Sequence, residues 1–62
     1  MTYKLKLIDL LLPFVWYHDP NGKMFIRDDC LYLLFKGREV KILDKTESGD
    51  LRLAQERLKE FT

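Results

Sequence analysis

Cys30 is the only cysteine and His18 the only histidine in the 62 residues of this chain. A domain this short buries only about 60% of the surface that its unfolded chain exposes, and such domains often depend on disulfides or a structural metal. One cysteine cannot form a disulfide within the chain, and a metal site needs three or four ligands. The sequence therefore predicts one small domain, residues 1–62, that has no internal disulfide, metal or cofactor and only a thin margin of stability.

The clearest local signal is a four-residue turn sequence, Asp19-Pro20-Asn21-Gly22. Each of its residues suits one position of a β-turn. Aromatic and β-branched residues precede the turn over 14–18, and a similar run follows over 23–27. This arrangement predicts a β-hairpin that pairs 14–18 with 23–27 and places Gly22 at positive φ.

The predicted hairpin has an apolar character on both faces. A three-residue bulged turn pairs Trp16 with Ile26 and Tyr17 with Phe25. Neighbouring residues of a strand point to opposite faces, so an aromatic side chain lies on each side of the hairpin. Helices on one side of the sheet would leave an aromatic patch on the other.

The segment before the hairpin, residues 3–12, fits two patterns. Its apolar residues alternate as in a strand, and they also recur near one helical face. Pro13 disfavours helical geometry in the residue before it. We therefore predict a short helix that ends near Leu11 or Leu12.

Residues 29–36 are also open to two interpretations. One is a short helix capped by Asp28 and closed by Gly37, and the other is a strand that turns at Lys36-Gly37. Asp28 as a helix cap and Gly37 as a helix terminator favour the first interpretation. Residues 38–44 then alternate charged and apolar side chains, which predicts a further strand.

The last segment predicts an amphipathic helix after the polar connection 46–50. Its apolar residues form one narrow stripe, namely Leu51, Ala54, Leu58 and Phe61. Leu53 falls outside this stripe and is expected to be exposed. The whole chain is predicted to be an α+β domain, in which helices pack on a small antiparallel sheet made of hairpin 14–18/23–27 and strand 38–44.

The sequence contains no recognisable catalytic motif. Ser48 or Cys30 could serve as a nucleophile with His18 as base, but no surrounding motif orients them. The three glycines are scattered and form no phosphate-binding loop. The sequence predicts a protein that is not an enzyme and has no small-molecule substrate.

Charge and composition favour a protein partner over nucleic acid. Eleven basic and ten acidic residues leave a net charge of +1, unlike a binder of duplex DNA. Because 47% of the residues are apolar and eight are aromatic, a domain this small cannot bury all of them. We predict a small protein-interaction module, either a regulator or inhibitor of a host protein or a self-associating domain. Its candidate interaction residues are Trp16, Tyr17, Phe25, Arg27 and Leu53.

A binder of single-stranded DNA or RNA is the alternative. In the predicted hairpin Trp16, Tyr17 and Phe25 lie on adjacent strands beside Lys23 and Arg27. Aromatic side chains edged by cations form the stacking platforms that bind unpaired bases. The low net charge places this hypothesis second.

The sequence also indicates a location. The apolar run over 7–17 is interrupted by Asp9 and Pro13 and is shorter than the roughly 20 residues that a membrane span needs. A single cysteine fits a reducing compartment. We expect a cytoplasmic protein that does not bind membranes.

The order of segments resembles short, uncharacterised proteins of bacteriophages and mobile elements. The residues that carry the resemblance are Leu7-Ile8-Asp9-Leu10-Leu11, the aromatic run, the Asp19–Lys23 turn, the second run, Leu31–Phe35 and Gly37-Arg38-Glu39-Val40-Lys41. The resemblance covers roughly the first two-thirds of the chain. It implies an origin in a phage or mobile element and carries over no site residue.

Overall fold

The computed structural model describes the backbone of residues 2–62 and the side chains of residues 3–62. Five elements follow one another, namely α1 (Thr2–His18), β1 (Lys23–Arg27), β2 (Cys30–Phe35), β3 (Arg38–Leu43) and α2 (Leu51–Lys59). The strands form one antiparallel sheet in the order β1-β2-β3. The predicted α+β class, with a small antiparallel sheet and a C-terminal helix, is confirmed.

The predicted hairpin of 14–18 with 23–27 is wrong, because residues 14–18 form the last turns of α1. α1 continues through Pro13, although a proline inside a helix costs about 3 kcal/mol. Leu7, Leu11 and Val15 recur every four residues and are all buried on the same side of α1. Burying a valine stabilises by about 1.5–3 kcal/mol, so packing against the sheet offsets much of the proline's cost.

The predicted turn Asp19–Gly22 does form, but it joins a helix to a strand. Gly22 N–H donates to the carbonyl oxygen of Asp19 at 2.9 Å. The Asp19 carboxylate accepts from the backbone N–H of Asn21 at 3.1 Å and of Lys36 at 2.7 Å. This carboxylate therefore ties the turn after α1 to the turn between β2 and β3.

A two-residue turn joins each pair of neighbouring strands in the sheet. The φ angles are 52° and 64° at Asp28 and Asp29, and 50° and 79° at Lys36 and Gly37. Positive φ at both central residues is the type I′ geometry, whose twist matches that of antiparallel strands. Asp28 is thus a turn residue rather than a helix cap.

The helix predicted over 29–36 is wrong, and the alternative strand that turns at Lys36-Gly37 is confirmed. β2 is the central strand, and its side chains alternate between the two faces of the sheet. Leu31 and Leu33 are fully buried on the face toward the helices, whereas Tyr32 and Leu34 are half-buried on the other. Because buried and half-buried side chains alternate with a period of two, the segment suits a strand and not a helix.

One hydrophobic core lies between the two helices and the inner face of the sheet. Its buried members include Leu7, Leu11, Val15, Leu31, Leu33, Ile42, Leu43, Ala54 and Leu58. The predicted α2 is confirmed, with Ala54 and Leu58 buried as expected. Leu53 is half-buried against the core, so the expectation that it is exposed is wrong. Phe61 lies beyond the end of α2 and is 36% exposed.

Polar side chains cap α2 and hold α1 against the sheet. Asp50 caps α2, since its side chain accepts from the N–H groups of Arg52 and Leu53. The buried Lys4 in α1 donates from Nζ to the carbonyl oxygens of Asp29 at 2.6 Å and Asp44 at 3.0 Å. These bonds hold the start of α1 against the β1–β2 turn and the end of β3.

Across residues 2–62, neither helix is long and apolar enough to cross a membrane.

Candidate interaction surfaces

Among the side chains that the structure describes, those of residues 3–62, the most exposed apolar surface lies on α1. Four side chains on one side of this helix make it up, namely Tyr3, Leu10, Phe14 and Tyr17, with exposures of 67%, 61%, 42% and 84%. At 3.6 residues per turn they fall within an arc of about 60°, next to the buried face of the helix. We call these four residues the α1 stripe.

The α1 stripe borders a shallow groove between the two helices. The groove has a volume of about 180 Å³ and is lined by Leu10, Leu11, Phe14, Gln55 and Lys59. At the C-terminal end of the stripe, the ring of His18 meets those of Phe14 and Tyr17 edge to face, with centroids 5.2 and 5.1 Å apart. The aromatic end of the stripe is therefore packed, although it faces outward.

Trp16 and Leu5 lie on another side of α1, about 140° around the helix from the stripe. Trp16 is 48% exposed, and its Nε1 donates to the carbonyl oxygen of Gly22 at 2.8 Å. Leu5 is 56% exposed. These two residues do not extend the α1 stripe.

A second candidate surface is the sheet face that points away from the helices. Phe25 and Tyr32 are cross-strand partners whose rings stack with centroids 5.4 Å apart and an interplanar angle of 14°. The Arg27 guanidinium lies 4.5 Å from the Tyr32 ring centroid and donates to Glu39 Oε1 at 2.6 Å. The Glu39 contact is the main cause of the raised pKa of Arg27. The guanidinium group of Arg27 is thus already paired with the carboxylate of Glu39.

The predicted aromatic platform is not assembled. Trp16 and Tyr17 are on α1, which packs on the inner face of the sheet, whereas Phe25 is on the outer face. Arg27 joins Phe25 there, and Leu53 packs against the core. The five predicted interaction residues therefore lie in four different places. Tyr17 is on the α1 stripe and Trp16 on another side of α1. Phe25 and Arg27 are on the outer sheet face, and Leu53 is at the core.

The nucleophile and base considered from the sequence are not brought together. Cys30 is buried, and its Sγ donates to the Asp28 carbonyl oxygen at 3.5 Å. Ser48 adjoins the first turn of α1, whereas His18 ends that helix. A helix of 17 residues spans about 25 Å. Within residues 3–62, no three His, Cys, Asp or Glu side chains are grouped as metal ligands.

Three members of the α1 stripe, Tyr3, Leu10 and Phe14, are absent from the predicted interaction residues. The signal that locates them is the repeat Leu7, Leu11, Val15, which continues across Pro13 at helical spacing. Once this repeat defines the buried face, Tyr3, Leu10 and Phe14 fall beside that face and are exposed. The position of Tyr32 on the outer sheet face could be predicted only if β2 were assigned as a strand.

Comparisons of this chain with protein-family models, with curated proteins and with solved structures gave no match.

Proposed function

We propose that this chain is a small protein-interaction module that binds through the α1 stripe. The observation that supports the proposal is the distribution of exposed apolar side chains. Of the seven large ones among the described residues, six lie on α1. Four of these six form the α1 stripe, and contiguous apolar patches larger than a few hundred Å² are uncommon on soluble monomers unless they serve binding.

The composition of the stripe agrees with this role. Tyrosine is enriched at the centres of protein interfaces, because it buries a large rigid ring and keeps a polar end. Two of the four residues in the stripe, Tyr3 and Tyr17, are tyrosines, and both are mostly exposed. A helix face is also a common way to present apolar anchors to a partner groove or helix.

A capture experiment tests the proposal with matched variants. Leu10 and Leu5 are exposed to similar extents, 61% and 56%, but only Leu10 belongs to the stripe. The wild-type chain, Leu10→Lys and Leu5→Lys are immobilised separately and exposed to host extract, and each protein captured is then titrated in purified form. We expect Leu10→Lys to lose binding and Leu5→Lys to keep it. Equal binding to both variants would contradict the proposal.

The second candidate is a module that binds single-stranded DNA or RNA on the outer sheet face. It is favoured by the stacked rings of Phe25 and Tyr32 beside Arg27, since unpaired bases stack on such side chains. It ranks second because the rings already stack on each other and Arg27 is paired with Glu39. Retention on single-stranded DNA that falls steeply with salt, and falls further in Tyr32→Ala, would support it.

We propose that this module acts in the cytoplasm, because the single cysteine of the sequence, Cys30, is an unpaired and buried thiol. A role as regulator or inhibitor of a host protein would fit the phage or mobile-element origin that the sequence resemblance implies. The capture experiment tests the first requirement of this role, which is that a host protein binds the chain.

A further inference from the structure

Five outward-facing residues of α1 are arranged symmetrically about Leu10. They are Tyr3, Lys6, Leu10, Phe14 and Tyr17, and their successive spacings are three, four, four and three residues. An antiparallel copy of this helix, related by a two-fold axis at Leu10, therefore brings Tyr3 opposite Tyr17. The same operation places Leu10 against Leu10 and Lys6 against Phe14.

We propose that the partner of the α1 stripe is a second copy of this chain, which packs its α1 antiparallel to the first around a two-fold axis at Leu10. This inference rests on the proposed function, because it names the molecule that the stripe binds. A two-fold interface uses the same patch on both subunits and closes after two copies. Because the five residues are spaced symmetrically about Leu10, a single helix can supply the same patch on both subunits.

The position of Lys6 favours the antiparallel orientation. Lys6 is exposed and lies between Tyr3 and Leu10 along the helix surface. In the antiparallel pair its ammonium group lies over the Phe14 ring of the other copy, which is a favourable cation–π contact that forms twice. In a parallel pair the two Lys6 side chains would face each other, and their like charges would repel.

The area of the stripe agrees with the size of a specific interface. Aromatic side chains contribute roughly 150–250 Å² each when fully buried, so the stripe presents on the order of 500 Å² at its observed exposures. Two copies would bury about 1,000 Å² from these residues alone, which is near the lower bound for a specific interface. The groove beside Leu10 and Phe14 offers further apolar contact.

The first test measures mass against concentration by sedimentation equilibrium. The wild-type chain should approach twice its own mass between micromolar and millimolar concentrations. Leu10→Lys should raise the dissociation constant by about tenfold or more, because two lysines would meet at the centre of the interface. Leu5→Lys should leave the constant unchanged. Far-UV circular dichroism shows whether each variant is folded, and Tyr17→Ser serves as a second stripe variant.

The second test measures orientation by cysteine trapping in a Cys30→Ala background. Tyr3→Cys and Tyr17→Cys chains are oxidised separately and as a mixture. The antiparallel pair predicts disulfides in the mixture between a Tyr3→Cys chain and a Tyr17→Cys chain, and few within either preparation alone. Disulfides that form mainly within each preparation would indicate a parallel pair and overturn the proposal.

The outcomes separate this inference from the proposed function. A chain that stays monomeric at millimolar concentration overturns the second copy as partner. If that monomer still captures a host protein through Leu10, the proposed function stands. A dimer that Leu10→Lys leaves intact uses another surface, which overturns the role of the stripe in pairing. A monomer that captures nothing through Leu10 contradicts both.

Discussion

The indole Nε1 of Trp16 donates a hydrogen bond to the carbonyl oxygen of Gly22, 2.8 Å away. This bond joins the last turns of α1 to the residue that precedes β1. It exists because α1 continues past Pro13 and carries the indole to the Asp19–Gly22 turn. Trp16 therefore has a structural role, although 48% of it is exposed.

Replacing Trp16 by Phe should destabilise the fold by about 1 kcal/mol, the usual net contribution of one hydrogen bond. Urea unfolding measures this loss. Tyr17→Phe is the matched control, because it also removes one polar group from an aromatic residue at the end of α1, where Tyr17 is 84% exposed. We expect the control to change stability by less than about 0.5 kcal/mol. Equal losses in the two variants would show that the indole bond contributes nothing.

Gly22 is needed for space rather than for positive φ, which corrects the reason predicted from the sequence. The glycine with positive φ is Gly37, whereas a Cβ on Gly22 would lie 2.6 Å from Val15 Cγ1. Gly22→Ala should therefore cost about 1–3 kcal/mol through overpacking.

A double-mutant cycle checks this cause. In a Val15→Ala background the obstructing methyl group is gone, so Gly22→Ala should cost clearly less than it does in the wild type. The same measurement, urea unfolding, applies to all four proteins of the cycle. An equal cost in both backgrounds would show that contact with Val15 is not responsible.

Two leucines of α2 should differ in their contribution to stability. Leu58 is fully buried, so Leu58→Ala should destabilise by about 2–5 kcal/mol. Leu53 is half-buried at the margin of the core, so Leu53→Ala should cost less than Leu58→Ala but more than an exposed substitution. Thermal or urea unfolding of both variants measures the difference. Equal losses would contradict the observed orientation of α2.

Stability should fall in acid in part through the carboxylate of Glu47. The hydrogen bonds from Arg57, and then that from the backbone N–H of Asp44, lower the pKa of Glu47 from 4.5 to about 2. The folded chain therefore binds this proton less readily than the unfolded chain does. The stabilisation is fully present above the unfolded pKa of about 4.5 and is lost as the pH falls toward 2.

The Tm of wild type and Glu47→Gln, measured from neutral pH down to about 2, checks this expectation. Wild type should have the higher Tm at neutral pH, and the difference should shrink as the pH falls through the window. Glu56→Gln, on the exposed side of α2, is the matched control. A difference between wild type and Glu47→Gln that is independent of pH would argue against the pair with Arg57.

The sequence alone determined those features that depend on neighbouring residues. The turn Asp19–Gly22 forms because Asp, Pro, Asn and Gly each suit their positions in it. β3 and α2 follow from short periodic patterns with polar flanks, and they lie close to their predicted bounds.

The tertiary structure decided the two segments where local signals disagreed. Pro13 locally favours the end of a helix, but burial of Val15 in the core favours its continuation, and that burial exists only when α1 packs on the sheet. Asp28 and Gly37 locally suit the two ends of a helix, yet pairing with β1 and β3 makes the segment between them a central strand. The candidate surfaces depend on the same packing. Which side of α1 meets the sheet determines that Leu10 and Phe14 face outward, because exposure is set by the whole fold and not by a residue's neighbours in sequence.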